Sequence, residues 1–263
     1  MATRSTLINV MSRAADKAAR GLKRDFGEVE QLQVSVKGPG DFVSTADTKA
    51  EKVLRQELSR ARPDYGFLME ESGASDGRDS EHRWIVDPLD GTTNFLHGLP
   101  HFCISIALER AGEIVAAVIL DPVKDETFWA EKGIGAYLND RRLRVSSRRQ
   151  MTNALIATGT PFGQRADRPR YLRQFDAIMA SVADVRRLGA AALDLAYVAA
   201  GRYDGFWEYG LHPWDVAAGW LLVREAGGYI SELDGEGNPV GSGDVLAAND
   251  HLHGLLRATL RQA

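Results

Sequence analysis

The chain has 263 residues, a formal net charge of −4 and one cysteine, Cys103. This length allows one compact α/β unit or two closely joined halves around a large core. The charge gives no general affinity for polyanions, so nucleic-acid binding is not expected. A single cysteine excludes an internal disulfide framework and a cysteine-rich zinc site. The sequence contains no hydrophobic signal segment and no run of membrane-spanning length, so we expect a cytoplasmic protein without a membrane partner.

The N-terminal part of the chain begins with two predicted helices. Apolar residues recur at helical spacing over residues 5–26, which predicts an amphipathic helix. Ser44-Thr45-Ala46-Asp47 then has the form of a capping box at the start of a second helix. Capping alone could explain Asp47.

The most informative segment is residues 84–95, which read WIVDPLDGTTNF. Its apolar strand ends in Asp87 and Asp90, and acids beside a core are not buried without a partner, so a bound cation explains them economically. Pro88 favours a helix start, which would direct the backbone amides of residues 91–93 at an anion. The alternative is an ordinary turn, because Asp-Pro and Asp-Gly are common turn dipeptides.

The rest of the chain alternates strands and helices. Residues 102–145 form short apolar runs separated by turn signals, which predicts an antiparallel meander. A soft boundary near residues 147–152 divides the chain into predicted halves, residues 1–147 and 148–263. The second half is predicted to contain helices over residues 171–183 and 187–200, a strand over 203–209 and a helix over 214–226.

The histidines receive no catalytic or metal-binding role. His97 and His101 have the spacing of a helical zinc pair, but the glycine and proline between them disfavour a helix. His251 and His253 precede a predicted polar C-terminal helix, where solvent exposure is expected.

Four separated segments together resemble the signatures of the inositol monophosphatase family of magnesium-dependent phosphatases. They are DFVSTAD at residues 41–47, FLMEESG at 67–73, DPLDGTT at 87–93 and GLHPWDVAAG at 210–219. The resemblance covers nearly the whole chain. It implies an α+β fold arranged as a layered α-β-α-β-α sandwich.

The resemblance also implies which residues bind metal. One Mg²⁺ is expected between Glu70, Asp87 and the carbonyl of Leu89, and a second between Asp87, Asp90 and Asp215. A third, weaker ion is expected at Glu70. Oxygen ligands without histidine or cysteine favour Mg²⁺ over Zn²⁺.

The same resemblance assigns the catalytic roles. Glu70 and Thr92 are expected to orient and deprotonate the attacking water. The amides of Gly91, Thr92 and Thr93 are expected to bind phosphate oxygens, and the ion held by Asp90 to lie near the departing oxygen.

Further residues are assigned to the substrate and to support of the site. Residues 186–194 resemble a family segment in which the backbone near Ala191 contacts sugar or cyclitol hydroxyls, and Glu208 matches a hydroxyl-binding glutamate. Asp47 is expected to support the metal ligands from behind in addition to its cap. Whether Lys37 contacts the third ion or the phosphate stays open.

Hydrolysis of inositol monophosphate is the activity that the resemblance implies. Fructose-1,6-bisphosphate, 3′-phosphoadenosine phosphate and histidinol phosphate are alternative substrates in such a scaffold. A different class of function is that of an accessory partner of the transcription machinery. A homodimer is expected from the resemblance and from the apolar strands within residues 102–145.

Overall fold

The computed structural model describes residues 4–28, 34–38, 41–161, 167–235 and 237–263, with the backbone alone described for 34–38 and 41–43. The predicted contact of Lys37 therefore lies outside the described side chains. No helix within these ranges is both long and apolar enough to cross a membrane.

The first half of the chain contains three helices and ten strands among the described residues. The helices are α1 (Thr6–Phe26), α2 (Thr45–Ala61) and α3 (Thr92–Leu96). The strands are β1 (Val34–Gly38), β2 (Asp41–Ser44), β3 (Tyr65–Met69), β4 (Gly73–Ser75), β5 (Asp79–Asp90), β6 (Cys103–Arg110), β7 (Glu113–Asp121), β8 (Glu126–Glu131), β9 (Gly135–Leu138) and β10 (Arg141–Arg142).

The second half contains five α-helices, one short 3-10 helix (Met151–Asn153) and five strands among the described residues. The helices are α4 (Arg168–Met179), α5 (Ala191–Ala199), α6 (Pro213–Glu225), α7 (Pro239–Ser242) and α8 (Asp250–Gln262). The strands are β11 (Leu155–Thr158), β12 (Asp184–Arg186), β13 (Gly205–Glu208), β14 (Tyr229–Glu232) and β15 (Val245–Ala248).

Two larger sheets form the framework. The eight-stranded sheet has the order β10-β9-β8-β7-β6-β5-β3-β4, and its pairs are antiparallel except β3 with β5. The five-stranded sheet has the order β12-β11-β13-β15-β14, and β11 is parallel to both of its neighbours. The antiparallel meander predicted within residues 102–145 is confirmed as β6 to β10.

Helices and sheets stack in five layers. One buried cluster joins α1 and α2 to one face of the eight-stranded sheet. A second cluster joins α5 and α6 to both sheets, and a third joins α4 and α8 to the outer face of the five-stranded sheet. The predicted α-β-α-β-α sandwich is confirmed. The division at residue 147 stays a prediction. Helix α6 of the second half packs on β7 of the first, so the two halves share an interface.

The predicted N-terminal helices are present, and their caps are visible. Ser5 caps α1 by accepting a hydrogen bond from the amide of Ile8 at 3.2 Å. At α2 the Ser44 hydroxyl accepts from the Ala46 amide, while the Ser44 amide donates to Asp47 at 2.8 Å. The capping box is confirmed, and it fixes the Asp47 side chain.

Two helix boundaries in the second half differ from prediction. Helix α4 begins at Arg168, after the cap Asp167, and ends at Met179 instead of residue 183. Helix α5 begins at Ala191 instead of 187. Strand β12 ends at Arg186, and within residues 187–190 Gly189 has φ +80°, which a helix does not accommodate.

The prediction for His253 is wrong. The C-terminal helix α8 already begins at Asp250, and His253 is buried on it. Its Nε2 lies 3.1 Å from the Ser231 hydroxyl of β14, and its Nδ1 lies 3.4 Å from Arg257. The helix therefore turns this residue toward the sheet, whereas His251 is exposed as expected.

Candidate active site

The strand that carries the main motif ends in an irregularity. Strand β5 continues through Pro88 to Asp90, and the helix expected after Pro88 begins at Thr92. Asp87 pairs with Ser105 of β6 and Asp90 with Cys103, so β5 holds one extra residue at this point. Pro88, which has no amide hydrogen for a ladder, lies inside this bulge. Bulges bend a strand and re-aim its side chains, and they are frequent beside active sites.

Asp87 is the focus of the acid cluster. It is 2% exposed, and its Oδ1 accepts a hydrogen bond from the Leu89 amide at 2.8 Å. Burial raises the pKa of Asp87 well above its ordinary value, and the nearby charges of Glu70, Asp90 and Asp215 raise it further. The structure thus brings together the four acids that the sequence singled out, from three separate parts of the chain.

Glu70 reaches Asp87 from the neighbouring parallel strand. Its amide, directly after β3, donates to the Val86 carbonyl of β5 at 3.2 Å. The turn that follows is held by Glu51 of α2, whose carboxylate accepts from the Glu71 amide at 2.9 Å. Glu51 is only 7% exposed, and sequence reasoning missed it. Its sole sequence signal is an acid on an otherwise apolar helix face.

Asp215 is placed by the start of α6. It lies in the first turn of that helix, where its Oδ2 accepts from the His212 amide at 2.8 Å. The hydroxyl of Ser105 donates to the Trp214 carbonyl at 3.1 Å. Because Ser105 pairs with Asp87 in the sheet, this bond fixes the helix start beside the end of β5.

Asp90 caps a helix from another part of the chain. The N-cap position of α5, Ala190, offers no capping side chain. Asp90 takes this role, since its Oδ2 accepts from the Ala192 amide at 2.8 Å, and the Ala191 amide also bonds to it. Burial raises the pKa of Asp90 to about 7, while these amides and the Cys103 thiol lower it. The predicted substrate segment at Ala191 is thereby attached to the acid cluster.

Thr92 and Asp47 form the other wall of the site. The Thr92 Oγ1 lies 3.0 Å from Asp47 Oδ1 and 3.0 Å from the Leu89 carbonyl oxygen. The Thr92 hydroxyl can donate to either oxygen, so it is held between two acceptors. Burial raises the pKa of Asp47, whereas its bonds to Ser44 and Thr92 lower it. Asp47 therefore caps α2, as expected, and also contacts Thr92, whereas its support of metal ligands stays a prediction.

The turn between Asp90 and Thr92 depends on Gly91. This residue has φ +92°, and an added Cβ would lie 3.0 Å from the His101 carbonyl oxygen. A side chain would be strained in that conformation and crowded by backbone. Thr93, in the first turn of α3, is exposed.

Asn94 was not among the predicted site residues, although it is 7% exposed and makes a central connection. Its amide nitrogen donates to the carbonyls of His101 and Leu188, each at 2.8 Å. It thus ties α3 to the segment that precedes α5. The signal in the sequence was its place inside the motif.

Glu208 lies at the end of β13 and is partly buried. Burial is the main cause that raises the pKa of Asp194 on α5. The charge of Glu208 raises it further, and the charge of Asp90 adds a smaller effect. Asp194 is 1% exposed, and its Oδ1 has no hydrogen-bond partner among the described residues. Glu208 and Asp90 therefore both lie near this buried carboxyl, and the assignment of Glu208 to the site stays a prediction.

The donor set fits a hard divalent cation. Four carboxylates meet where burial and mutual repulsion favour protonation, and a bound cation would reverse that preference. Across the described residues, no three carboxylate, imidazole or thiol side chains already have the arrangement of a metal site. The convergence of the acids is observed, and the assignment of each ligand stays a prediction.

Comparisons with known proteins agree with this geometry. Residues 3–263 match the family described as inositol monophosphatase family. The chain belongs to this family.

Individual relatives match over nearly their full length. An inositol-1-monophosphatase of Rhizobium meliloti is 56% identical, over 98% of this chain and 97% of the relative. A protein named Nus factor SuhB of Pseudomonas aeruginosa is 43% identical, over 97% and 96%. The crystal structure of extragenic suppressor protein suhB from Bartonella henselae superposes with a TM-score of 0.96 at 55% identity, covering 98% of this chain and all of that one.

Proposed function

We propose that the protein hydrolyses inositol monophosphate to inositol and phosphate in a reaction that requires Mg²⁺. Membership of the inositol monophosphatase family supports the substrate class. The observation that carries the chemistry is the meeting of Glu70, Asp87, Asp90 and Asp215, where three charges act on the buried Asp87.

In this proposal the acids hold two or three Mg²⁺ ions. Glu70, Asp87 and the Leu89 carbonyl would hold one ion, and Asp87, Asp90 and Asp215 the second. Bound Mg²⁺ would neutralise the phosphate oxygens and stabilise the departing alkoxide. A lithium ion competing for one of these positions would inhibit the reaction.

The protein groups would supply positioning and proton transfer. Glu70 would accept the proton of the attacking water. Thr92 would orient that water through an oxygen whose position is fixed by its contacts with Asp47 and the Leu89 carbonyl. The amides of residues 91–93 at the start of α3 would bind phosphate oxygens. Glu208 would accept hydrogen bonds from the polyol hydroxyls.

A substrate panel with Mg²⁺ tests the proposal. Phosphate release should be highest with inositol 1-phosphate. Fructose-1,6-bisphosphate, 3′-phosphoadenosine phosphate and histidinol phosphate are the competing substrates. A clear preference for one of these three would leave the proposed catalytic chemistry standing and show that the proposed substrate is wrong.

A second candidate is a partner role in transcription. It is favoured by relatives named Nus factor SuhB, which match nearly the whole chain at 42–43% identity. Pull-down of transcription proteins from a lysate, with the natural chain and Asp90→Asn, separates the two functions. A scaffold should keep its partners when the acid is lost, whereas hydrolysis should not survive.

The homodimer stays a prediction, but one argument for it fails. The strands within residues 102–145 are largely covered by helices of the same chain, and only Val123 and Ile134 are exposed large hydrophobic residues there. Light scattering at micromolar concentration tests the dimer. The cytoplasmic location likewise stays an expectation.

A further inference from the structure

The carboxyl group of Glu208 lies where residue 159 would have a side chain. Gly159 directly follows β11, and Glu208 ends the parallel neighbour β13, in which Trp207 pairs with Thr158. A Cβ added to Gly159 would meet the carboxyl carbon and both carboxylate oxygens of Glu208, far inside van der Waals contact. These are its three nearest atoms, and no backbone atom is among them.

The conformation of Gly159 does not itself require glycine. Its φ lies outside the left-handed region, unlike that of Gly91 or Gly243. An added Cβ at Gly243 would meet the backbone of Leu211, so substitution there would disturb the chain path. At Gly159 the three nearest atoms all belong to the end of a flexible side chain. Alanine at this position should therefore leave the fold intact and displace Glu208.

The direction of that displacement is restricted. Burial raises the pKa of Asp194 on α5 and of Tyr171 on α4, and the nearby charge of Glu208 raises both further. A deeper position would bring two carboxyl groups closer together in a region with little solvent. The displaced carboxylate is thus expected to move outward, away from its present place at the strand end.

We propose that Gly159 is a positioning residue that determines substrate specificity, because its missing side chain is the space that the Glu208 carboxylate occupies. This inference rests on the proposed role of Glu208 in binding polyol hydroxyls. A side chain at position 159 would weaken the use of polyol phosphates and spare phosphate esters that offer no hydroxyls to Glu208.

The test uses Gly159→Ala, Glu208→Ala and the double variant, each with inositol 1-phosphate and with 4-nitrophenyl phosphate. For Gly159→Ala, the ratio of kcat/KM for the polyol phosphate to that for the aryl phosphate should fall roughly 5- to 150-fold, the range for losing a charged hydrogen bond. The loss should be largest in KM. In the Glu208→Ala background, where the carboxyl is gone, the same glycine substitution should change the ratio by less than about twofold.

Gly254→Ala is the matched control. Gly254 lies on α8, and an added Cβ would meet no atom within 4 Å. This variant should keep the natural ratio, and the melting temperature of Gly159→Ala should stay close to that of the control.

The outcomes separate the two levels of the argument. If Glu208→Ala lowers kcat/KM equally for both substrates, the proposed role of Glu208 is wrong and the inference fails with it. If Glu208→Ala is selective but Gly159→Ala leaves the ratio unchanged, only the inference is wrong. A loss from Gly159→Ala that persists fully in the Glu208→Ala background would also overturn it, since the glycine would then act by another route.

Discussion

The acids at the end of β5 and the carboxylate at the end of β13 are assigned to one proposed site but are held differently. Asp87 and Asp90 are fixed by backbone amides at 2.8 Å, one from Leu89 in the bulge of β5 and one from the start of α5. Glu208 lies instead in a space left by Gly159. The first arrangement is set by local chain geometry, whereas the second depends on which side chain is absent from a neighbouring strand.

This difference predicts how each end responds to substitution. The acid cluster around Asp87 and Asp90, here called the metal end, should tolerate no change of charge, because the hydrolysis of every phosphate ester depends on it. Glu208, here called the polyol end, should tolerate substitution for some substrates, because only substrates with suitable hydroxyls contact it.

The largest effect is expected for Asp87→Asn. This change removes the charge at the centre of the acid cluster but little volume, so the fold should persist. Loss of groups that merely support metal ligands costs about 10- to 100-fold, so loss of a bridging ligand should exceed about 100-fold. Initial rates with inositol 1-phosphate and 4-nitrophenyl phosphate should fall alike.

Asp16→Asn serves as the control for Asp87→Asn, since Asp16 is an exposed acid on α1. It should keep the natural rates. A normal rate for Asp87→Asn would mean that the motif is only a turn, as its dipeptides alone allow.

A smaller, selective effect is expected for Glu208→Gln. It should weaken the use of inositol 1-phosphate by about 1–3 kcal/mol, because a charged hydrogen bond to the substrate becomes a neutral one. The Mg²⁺ concentration for half-maximal rate should change little. Equal losses on the polyol and aryl phosphates would show that Glu208 supports the catalytic centre instead, and the two ends would then not be distinct.

The metal-free protein should lose stability as the pH rises. The pKa of Asp90 is raised to about 7, so the folded state retains a proton that the unfolded state has released at lower pH. This contribution is complete below the ordinary pKa of aspartate and is lost as the pH rises through about 7. Asp87 and Asp194 act in the same direction.

Thermal unfolding in excess chelator measures this dependence. The melting temperature should be higher at about pH 5 than at about pH 8, and Asp90→Asn should flatten the difference. A melting temperature that rises over this range would contradict the raised pKa values.

The two ends also differ in how well the sequence predicted them. The acids of the metal end could be found because charges directly after apolar strands are conspicuous, and Asp87 to Thr92 form one continuous motif. The capping box of α2 was predictable for the same local reason. Glu208 was reached only through its spacing from Asp215, and the need for Gly159 could not be predicted, because the pairing of β11 with β13 creates it.

Other misses have the same origin. Glu51, Asn94 and His253 act through partners distant in sequence, at the turn after β3, before α5 and on β14. A single sequence carries little signal for such contacts. The late start of α5 has a local cause instead, because Gly189 has φ +80°, which a helix does not accommodate.

The central claim is that these acids make hydrolysis depend on a divalent cation. The most direct measurement is phosphate release from inositol 1-phosphate by the metal-stripped protein and by Asp90→Asn, with Mg²⁺ titrated back. The natural protein should be inactive in excess chelator and recover with Mg²⁺, and Asp90→Asn should stay at least about 100-fold slower at saturating Mg²⁺. Full turnover in excess chelator, or a normal rate for Asp90→Asn, would contradict it.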